Sequence, residues 1–351
     1  MAVSRALPGL VLLALCALLA RAVAPIVGVN HLLLAIAVGF ALANVIDLPD
    51  WLEPGLATHE HWLAAGIVLM GASVSLGAVR EAGIVVLLLV LCTVGTTVLV
   101  VETLSRVVFS LNDRFGSLLS AGSAICGVSA VVAVAGAIRA RESHVAYAAA
   151  TVLAFDAVTI VLYPIVGDLL GLSGQVFGIW AGVSMFSTGP VVAVGFAHSD
   201  VAGQWATMTK LARNALIGVA VLAYAWVYAR DANPTRGANS TDGDGNGSST
   251  AGASPTAGLS STVRTLWAEF PTFVLGFLAL AVLSSLGALS PSHRATFETT
   301  SDWVFLLAFV GLGTEIRLAE LRRTGVTPAF VVLLSFSVVS TLSLAALLLV
   351  V

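Results

Sequence analysis

Predominantly apolar segments alternate with short polar stretches along the chain. Most of them are close to the roughly 20 residues that a helix needs to cross a bilayer. Because only helices and closed barrels satisfy every backbone hydrogen bond in lipid, the pattern predicts an all-α polytopic membrane protein. We expect about eleven segments, at 7–26, 29–47, 62–79, 83–105, 116–138, 144–167, 175–197, 203–229, 265–287, 300–316 and 326–351.

Residues 231–263 interrupt this pattern, because Asn, Asp, Gly, Ser and Thr dominate there and large apolar side chains are almost absent. Such a composition is typical of a flexible hydrophilic linker. It divides the chain into a first membrane part, residues 1–230, and a last part of three helices, residues 264–351. We expect the two parts to build one integrated transmembrane domain.

Two apolar segments are crowded with glycine and serine at matching places. Residues 121–134 read Ala-Gly-Ser-Ala-Ile-Cys-Gly-Val-Ser-Ala-Val-Val-Ala-Val, and residues 181–194 share the initial Ala-Gly and the final Val-Val-Ala-Val. Irregular backbone at membrane depth is tolerated only inside protein or beside a watery cavity. Broken helices of this kind form the binding sites of transporters, so the two stretches predict one shared site.

The last part of the chain also resembles the first. Residues 71–83 align with 313–325, sharing both outer glycines, one leucine and one arginine, and residues 39–43 resemble 276–280. The displacement is seven segments, an odd number, which inverts the second copy if every segment crosses. We therefore predict an inverted repeat, a transporter signature. The alternative is chance similarity between small apolar helices.

Arginine placement bears on whether the two broken segments cross the membrane. If all eleven segments cross, the fourteen arginines of the loops and termini divide nine inside to five outside. If segments 116–138 and 175–197 enter and return as hairpins, the division becomes eleven to three, which satisfies the positive-inside rule better. The distribution favours two re-entrant hairpins from opposite faces, with eleven crossings as the alternative.

Composition supports an integral membrane protein, since 58% of the 351 residues are hydrophobic, 10% are charged and the mean hydropathy is +1.00. The net charge of −3 gives no indication of nucleic-acid binding. The three cysteines, Cys16, Cys92 and Cys126, lie in apolar segments at unpatterned spacing. We expect buried thiols there, and neither a disulfide framework nor a zinc site.

Two cations fall inside the eighth segment. Lys210 and Arg213 are three residues apart and Asn214 is four from Lys210, so all three share one helical face. A charge near the bilayer centre costs at least about 2.5–3.5 kcal/mol, so it normally faces a partner or a pathway. The pair therefore favours an anionic ligand. The alternative is that the helix begins late and both residues lie in a cytoplasmic loop.

Asp156, midway along the sixth segment, is the deepest acid in the chain. It is predicted either to neutralise Lys210 or Arg213 as a structural pair, or to titrate and couple transport to protons or sodium. His59-Glu-His61 belongs to an acidic loop, and we interpret it as solvated. No nucleophile elbow, phosphate loop or pair of catalytic carboxylates occurs, so neither an enzyme nor a cofactor or metal site is predicted.

Several of these motifs together resemble the YeiH-type family of prokaryotic membrane proteins, whose members are named as sulfate exporters. The resemblance covers most of the chain apart from the first helix and the linker. It is carried by Leu52-Glu-Pro-Gly55 before Gly66-Ile-Val-Leu-Met-Gly71, Ala121-Gly-Ser-Ala-Ile-Cys-Gly-Val-Ser-Ala130, Phe177-Gly-Ile-Trp-Ala-Gly182, Val191-Val-Ala-Val-Gly-Phe196, Lys210-Leu-Ala-Arg213 and Phe273-Val-Leu-Gly-Phe277.

The resemblance implies a multi-helix secondary carrier with inverted repeats, in the plasma membrane of a prokaryote. It also implies site roles for Ser123, Cys126, Gly127, Ser129, Lys210 and Arg213. One departure concerns the second break. Where the family commonly has a His and a Gln, this chain has Phe186 and Pro190, and Asp156 replaces a smaller residue, so the substrate or coupling ion is expected to differ.

The favoured hypothesis is a carrier for a small anion such as sulfate or a sulfonate, with a possible homo-oligomeric state. A cation-coupled antiporter that uses Asp156 for Na⁺ or H⁺ and a non-transporting membrane receptor are the alternatives. Backbone N–H groups at the two breaks would face the anion. The predicted substrate-binding residues are Ser123, Cys126, Gly127, Ser129, Ser187, Thr188, Lys210, Arg213 and Asn214.

Overall fold

A computed structural model describes residues 2–74, 76–231, 273–321 and 325–350. Within these ranges the chain forms helices and turns, with no strand. The helices are α1 Ala2–Val27, α2 His31–Val45, α3 Glu53–Leu56, α4 His59–Met70, α5 Leu76–Thr103, α6 Asp113–Ala124, α7 Val128–Ile138, α8 Glu142–Leu169, α9 Gly174–Ser184, α10 Thr188–His198, α11 Asp200–Asn214, α12 Ile217–Asp231, α13 Phe273–Ser285, α14 Pro291–Glu315, α15 Leu318–Leu321 and α16 Val326–Val350.

Five helical stretches among the described residues are long and apolar enough to cross a membrane. Three shorter apolar helices, α2, α7 and α13, accompany them. The all-helical membrane architecture predicted from the sequence is thus confirmed. The full set of eleven segments stays a prediction, and the linker 231–263 lies outside the described residues apart from its first position. The five stretches are Arg5–Val27, Gly83–Val108, Glu142–Leu169, Asp200–Ala229 and Val326–Leu349.

The segment 116–138 is broken and folds back on itself. Helix α6 ends at Ala124, helix α7 begins at Val128, and the Arg114 guanidinium near the start of α6 donates to the carbonyl oxygen of Arg139 after α7, 2.9 Å away. A straight helix would separate these two residues by roughly 38 Å. Helices α6 and α7 therefore form a hairpin whose tip is the break.

The second broken segment has the same form. Helix α9 ends at Ser184 and α10 begins at Thr188. His198, the last residue of α10, stacks on Phe177 near the start of α9 with ring centroids 4.1 Å apart. Its Nε2 also lies 3.2 Å from the Leu172 carbonyl oxygen before α9. Helices α9 and α10 are thus a second hairpin.

The largest apolar core forms where α9, α10 and α11 pack together beside the bundle of α2, α4 and α14. In that bundle α2 and α14 approach each other closely at Gly39 and Gly313. A Cβ at either glycine would overlap the backbone of the facing helix, so this crossing requires the missing side chains. The tight bundle supports one wall of the cavity described below.

Two expectations about burial need correction. Cys92, expected to be a buried thiol, is exposed on α5, whereas Cys16 and Cys126 are buried as expected. His59, interpreted as part of a solvated loop, is only 5% exposed because its side chain packs over Gly311 of α14. The first error concerns an exposed face of an apolar helix, and the second a contact between helices far apart in sequence.

Candidate functional site

The tips of the two hairpins meet. Gly127 has a φ of +76°, a left-handed conformation that glycine adopts without strain, and it ends the break between α6 and α7. A Cβ at Gly127 would overlap the hydroxyl group of Ser187, which lies in the other break. The two glycine- and serine-rich stretches therefore form one site, in which four helix ends come together.

Lys210 of α11 binds the carbonyl ends of two of these half-helices. Its ammonium donates to the Ile125 carbonyl oxygen at 2.8 Å and the Met185 carbonyl oxygen at 3.1 Å, and also to that of Phe186. Helix C-termini carry partial negative charge and unpaired carbonyls, so a cation there satisfies both. Lys210 thus joins the end of α6 to the end of α9.

Arg213 does the same one turn later. Its Nε donates to the Ala124 carbonyl oxygen at 2.6 Å. One terminal nitrogen donates to the Met185 carbonyl oxygen at 2.6 Å, and the other donates to the Ser123 carbonyl oxygen. Lys210 is 0% exposed and Arg213 is 1% exposed. Because the two cations share one face of α11, both meet the carbonyl ends of α6 and α9 at the crossing.

The local fold of α11 explains why the cations are buried. Ser199 caps the helix by accepting from the Ala202 N–H at 3.1 Å, and the helix then runs without interruption to Asn214. Lys210 therefore lies well inside a helix. The alternative that α11 begins late and leaves both cations in a loop is wrong.

The other two helix ends at the crossing are the N-terminal ends of α7 and α10, which present N–H groups instead of carbonyl groups. At the start of α7, no oxygen in the described parts of the chain accepts from the N–H groups of Val128, Ser129 and Ala130. The first N–H groups of a helix have no partner inside it and carry partial positive charge. The start of α7 is therefore an open hydrogen-bonding site for an anion.

The start of α10 is already occupied by a carboxylate. Oδ1 of Asp156, a residue 2% exposed on α8, accepts from the Ser187 N–H at 3.1 Å. The Thr188 hydroxyl accepts from the Asn214 side-chain amide at 3.0 Å, the N–H groups of Thr188 and Gly189 have no acceptor among the described residues, and Pro190 has no N–H. The ion pair expected between Asp156 and Lys210 or Arg213 is not formed; Asp156 instead neutralises a helix N-terminus.

A cavity of about 490 Å³ lies on this amide side. Of the residues predicted from the sequence, those that line it are Cys126, Ser129, Asp156, Ser187, Thr188 and Asn214. Ser123 is buried beside the cations, its hydroxyl without a described hydrogen-bond partner, while Gly127 is packed at the crossing. The structure thus splits the predicted site into a carbonyl side, with Lys210 and Arg213, and an amide side, with the cavity.

Sequence reasoning missed part of the cavity wall. His59 and Glu60 of α4 and Glu315 at the end of α14 also line it. A second cavity of about 910 Å³ adjoins it at the same three residues and at Ser129. No local pattern could have joined α4 to α14, since their contact depends on packing between distant segments.

Most of the chain matches one family of membrane proteins. The sequence profile of the family described as conserved hypothetical protein 698 matches residues 8–332. The chain belongs to this family. Its relatives carry the name UPF0324 membrane protein, and the resemblance drawn from the motifs is confirmed at the level of the family.

The UPF0324 relatives cover nearly the whole chain. A UPF0324 membrane protein of Nitratidesulfovibrio vulgaris is 30% identical over 334 residues, which are 92% of this chain and 88% of the relative. UPF0324 membrane protein TauZ of Paracoccus denitrificans is 28% identical over 92% of this chain and 89% of its own length. Together with the long apolar helices, these matches identify a multi-pass membrane protein. No solved structure matches.

Proposed function

We propose that this UPF0324 protein is a secondary carrier for a small anion, which binds in the cavity at the start of α7. The observation that carries the proposal is the unpaired amide end at Val128, Ser129 and Ala130, of which Val128 and Ser129 line a cavity of about 490 Å³. Three convergent N–H groups at a helix N-terminus are a ready site for an oxyanion.

The charge distribution around the crossing supports this assignment. Of the four helix ends, the two carbonyl ends are neutralised by Lys210 and Arg213, and the start of α10 is neutralised by Asp156. Only the start of α7 lacks a described partner of opposite charge. An anion in the cavity would complete the pattern, since every helix end would then face its counter-charge.

In this proposal the two cations hold the crossing together, and the ligand is bound by backbone amides. Ser129, exposed in the cavity, adds a hydroxyl group that can donate to the same anion. Sulfate and sulfonates carry several acceptor oxygens on one sulfur atom, so a single anion can accept from several converging donors. We therefore retain a sulfate- or sulfonate-like anion as the substrate class.

The packing around the site supports transport by an inverted repeat. In the alignment of the two halves, Gly39 corresponds to Gly276. Val68 corresponds to Val310, because each lies three residues before the aligned stretches 71–83 and 313–325. Gly39 lies against Val310, and Gly276 lies against Val68. One contact thus recurs with the halves exchanged, as expected of two repeats related by a pseudo-two-fold axis, with the hairpins re-entering from opposite faces.

A second candidate, cation-coupled transport, rests on two buried oxygens. Oδ2 of Asp156 and Oδ1 of Asn214 have no hydrogen-bond partner in the part of the chain that the structure describes, and both residues line the cavity. Carboxylate and amide oxygens are suitable ligands for Na⁺, and a carboxylate can bind a proton. Coupling of transport to Na⁺ or H⁺ through Asp156 is compatible with an anion at α7, because Asp156 lies at the start of α10 and the anion at the start of α7.

The proposal is tested by placing a fixed negative charge at the start of α7. The Ser129→Asp variant would direct a carboxylate to the amides that we assign to the anion, while Ser129→Asn is its neutral isostere. The purified full chain is titrated with sulfate, methanesulfonate and phosphate, and its thermal unfolding is followed. A ligand at a hundred times its Kd stabilises the folded state by about 2.7 kcal/mol.

We expect an anion to raise the unfolding temperature of the parent and of Ser129→Asn, but not that of Ser129→Asp. Sulfate flux into proteoliposomes should follow the same order. The proposal is wrong if no small oxyanion stabilises the parent, or if Ser129→Asp binds the anion as the parent does.

A further inference from the structure

Three side chains meet at the mouth of the cavity. His59 and Glu60 begin α4, and Glu315 ends α14. One potential ligand atom from each lies within 4.8 Å of the other two. The cluster lies outside the hairpin crossing, and nothing in the proposed anion site requires it.

The imidazole of His59 is held in one orientation. Its Nδ1 lies 3.0 Å from the Leu56 carbonyl oxygen, and its ring packs over Gly311, where a Cβ would overlap it. A carbonyl oxygen can only accept, so Nδ1 carries a hydrogen and Nε2 is left to face Glu315. This is the arrangement usual for metal-binding histidines, whose second ring nitrogen donates to a backbone carbonyl or a carboxylate.

The spacing between His59 and Glu315 fits two ligands of one metal ion. Nε2 of His59 lies 3.4 Å from Oε1 of Glu315. A charge-assisted hydrogen bond between these groups would be shorter, about 2.7–2.9 Å. Two ligands about 2.1 Å from a tetrahedral ion are separated by about 3.4 Å. The separation leaves room for a cation between the two atoms, either a proton on Nε2 or a metal ion.

We propose that His59, Glu60 and Glu315 bind a divalent transition-metal ion of the zinc class. One imidazole nitrogen and two carboxylates suit zinc better than magnesium, which prefers an octahedral set of oxygens. Three protein ligands leave a fourth position of a tetrahedral ion open. Because all three residues line the cavity, an ion bound between them would lie at the cavity wall.

The ion would also change the charge at the cavity mouth. Glu60 and Glu315 place two carboxylates on the wall of the cavity that Ser129 also lines, and their negative charges repel an approaching anion. A bound dication cancels them and offers a positive group at its open position. This consequence for anion entry rests on the proposed function, whereas metal binding itself does not.

Metal binding is measured on the full chain after removal of metals with EDTA, without any transported anion. The protein is reloaded with Zn²⁺, freed of excess ion and assayed for zinc content, and its unfolding temperature is followed against Zn²⁺ and against Mg²⁺. Glu315→Gln is the main variant, because the Glu315 side chain is 44% exposed and its replacement should leave the fold intact. Glu298→Gln, at an exposed position on the same helix, is the matched control.

We expect one zinc ion per chain, a higher unfolding temperature with Zn²⁺ but not with Mg²⁺, and at least about a tenfold loss of zinc affinity in Glu315→Gln. Glu298→Gln should match the parent. The inference is overturned if the parent retains no zinc, if Mg²⁺ stabilises it equally, or if Glu315→Gln keeps the parent's affinity. Failure here leaves the Ser129 result untouched, so the two proposals fail separately.

Discussion

Replacing Lys210 by methionine separates a structural role for this cation from a ligand-binding role. Methionine has a similar length but no donor, so the variant removes the ammonium from the Ile125, Met185 and Phe186 carbonyls. The Met185 carbonyl keeps its bond to Arg213. Two buried carbonyls are therefore left without a donor.

The size of the effect follows from these contacts. A buried polar group that loses its partner costs about 1–3 kcal/mol, so two carbonyls cost about 2–6 kcal/mol. The variant no longer has to bury an ammonium, which places the net loss in the lower half of that range. Since folded proteins are stable by only about 5–15 kcal/mol, the change should be plain in the free energy of unfolding.

The assay is unfolding of the detergent-solubilised chain in the absence of any anion, with hydrogen exchange across 121–134 and 181–194. Arg141→Met, which removes an exposed cation at the start of α8, is the control and should unfold like the parent. We expect Lys210→Met to unfold earlier and to exchange faster at both breaks. If it unfolds with the parent and loses only anion binding, the assignment of Lys210 to the carbonyl ends is wrong.

Three further predictions concern the crossing and the bundle. Gly127→Ala should destabilise the chain by more than about 1–2 kcal/mol, because the left-handed φ and the facing hydroxyl both oppose a Cβ. Gly136→Ala in α7, where a Cβ would meet nothing within 4 Å, should be neutral or slightly stabilising, and the free energy of unfolding of both variants tests this. Gly313→Ala should cost about 1–3 kcal/mol through overlap with the facing backbone, and equal stability of this variant and Gly95→Ala, whose Cβ would meet nothing, would contradict the close crossing. If Asp156 couples transport to protons or sodium, Asp156→Asn should raise anion affinity and remove the pH or sodium dependence of transport; flux in proteoliposomes that keeps the parent's affinity and both dependences would exclude Asp156 from coupling.

The sequence predicts the two breaks because they depend on local composition, and it predicts their meeting because the two stretches match each other. Glycine and serine at matching offsets in 121–134 and 181–194 weaken helical backbone, and the structure breaks both helices within these stretches, at residues 125–127 and 185–187. The arginine distribution favours hairpins for the same segments, and the ends of each hairpin lie side by side.

The roles of the charged residues could not be predicted in this way. The spacing of Lys210 and Arg213 places them on one face but does not specify which groups that face meets, and here these are backbone carbonyls of two other helices. Asp156 was expected beside a cation because side-chain charges are visible in a sequence, whereas the partial charge of a helix end is not. His59 looked solvated because its neighbours are acidic, and only the packing of α4 on α14 buries it.

We propose that the anion binds at the start of α7 and away from the cations. A structure of the full chain with selenate, a sulfate analogue with a strong anomalous signal, locates the ion directly. We predict an ordered selenate within hydrogen-bond distance of the N–H groups of Val128, Ser129 and Ala130. Selenate bound against Lys210 and Arg213, or no ordered selenate in the cavity at saturating concentration, would contradict the account.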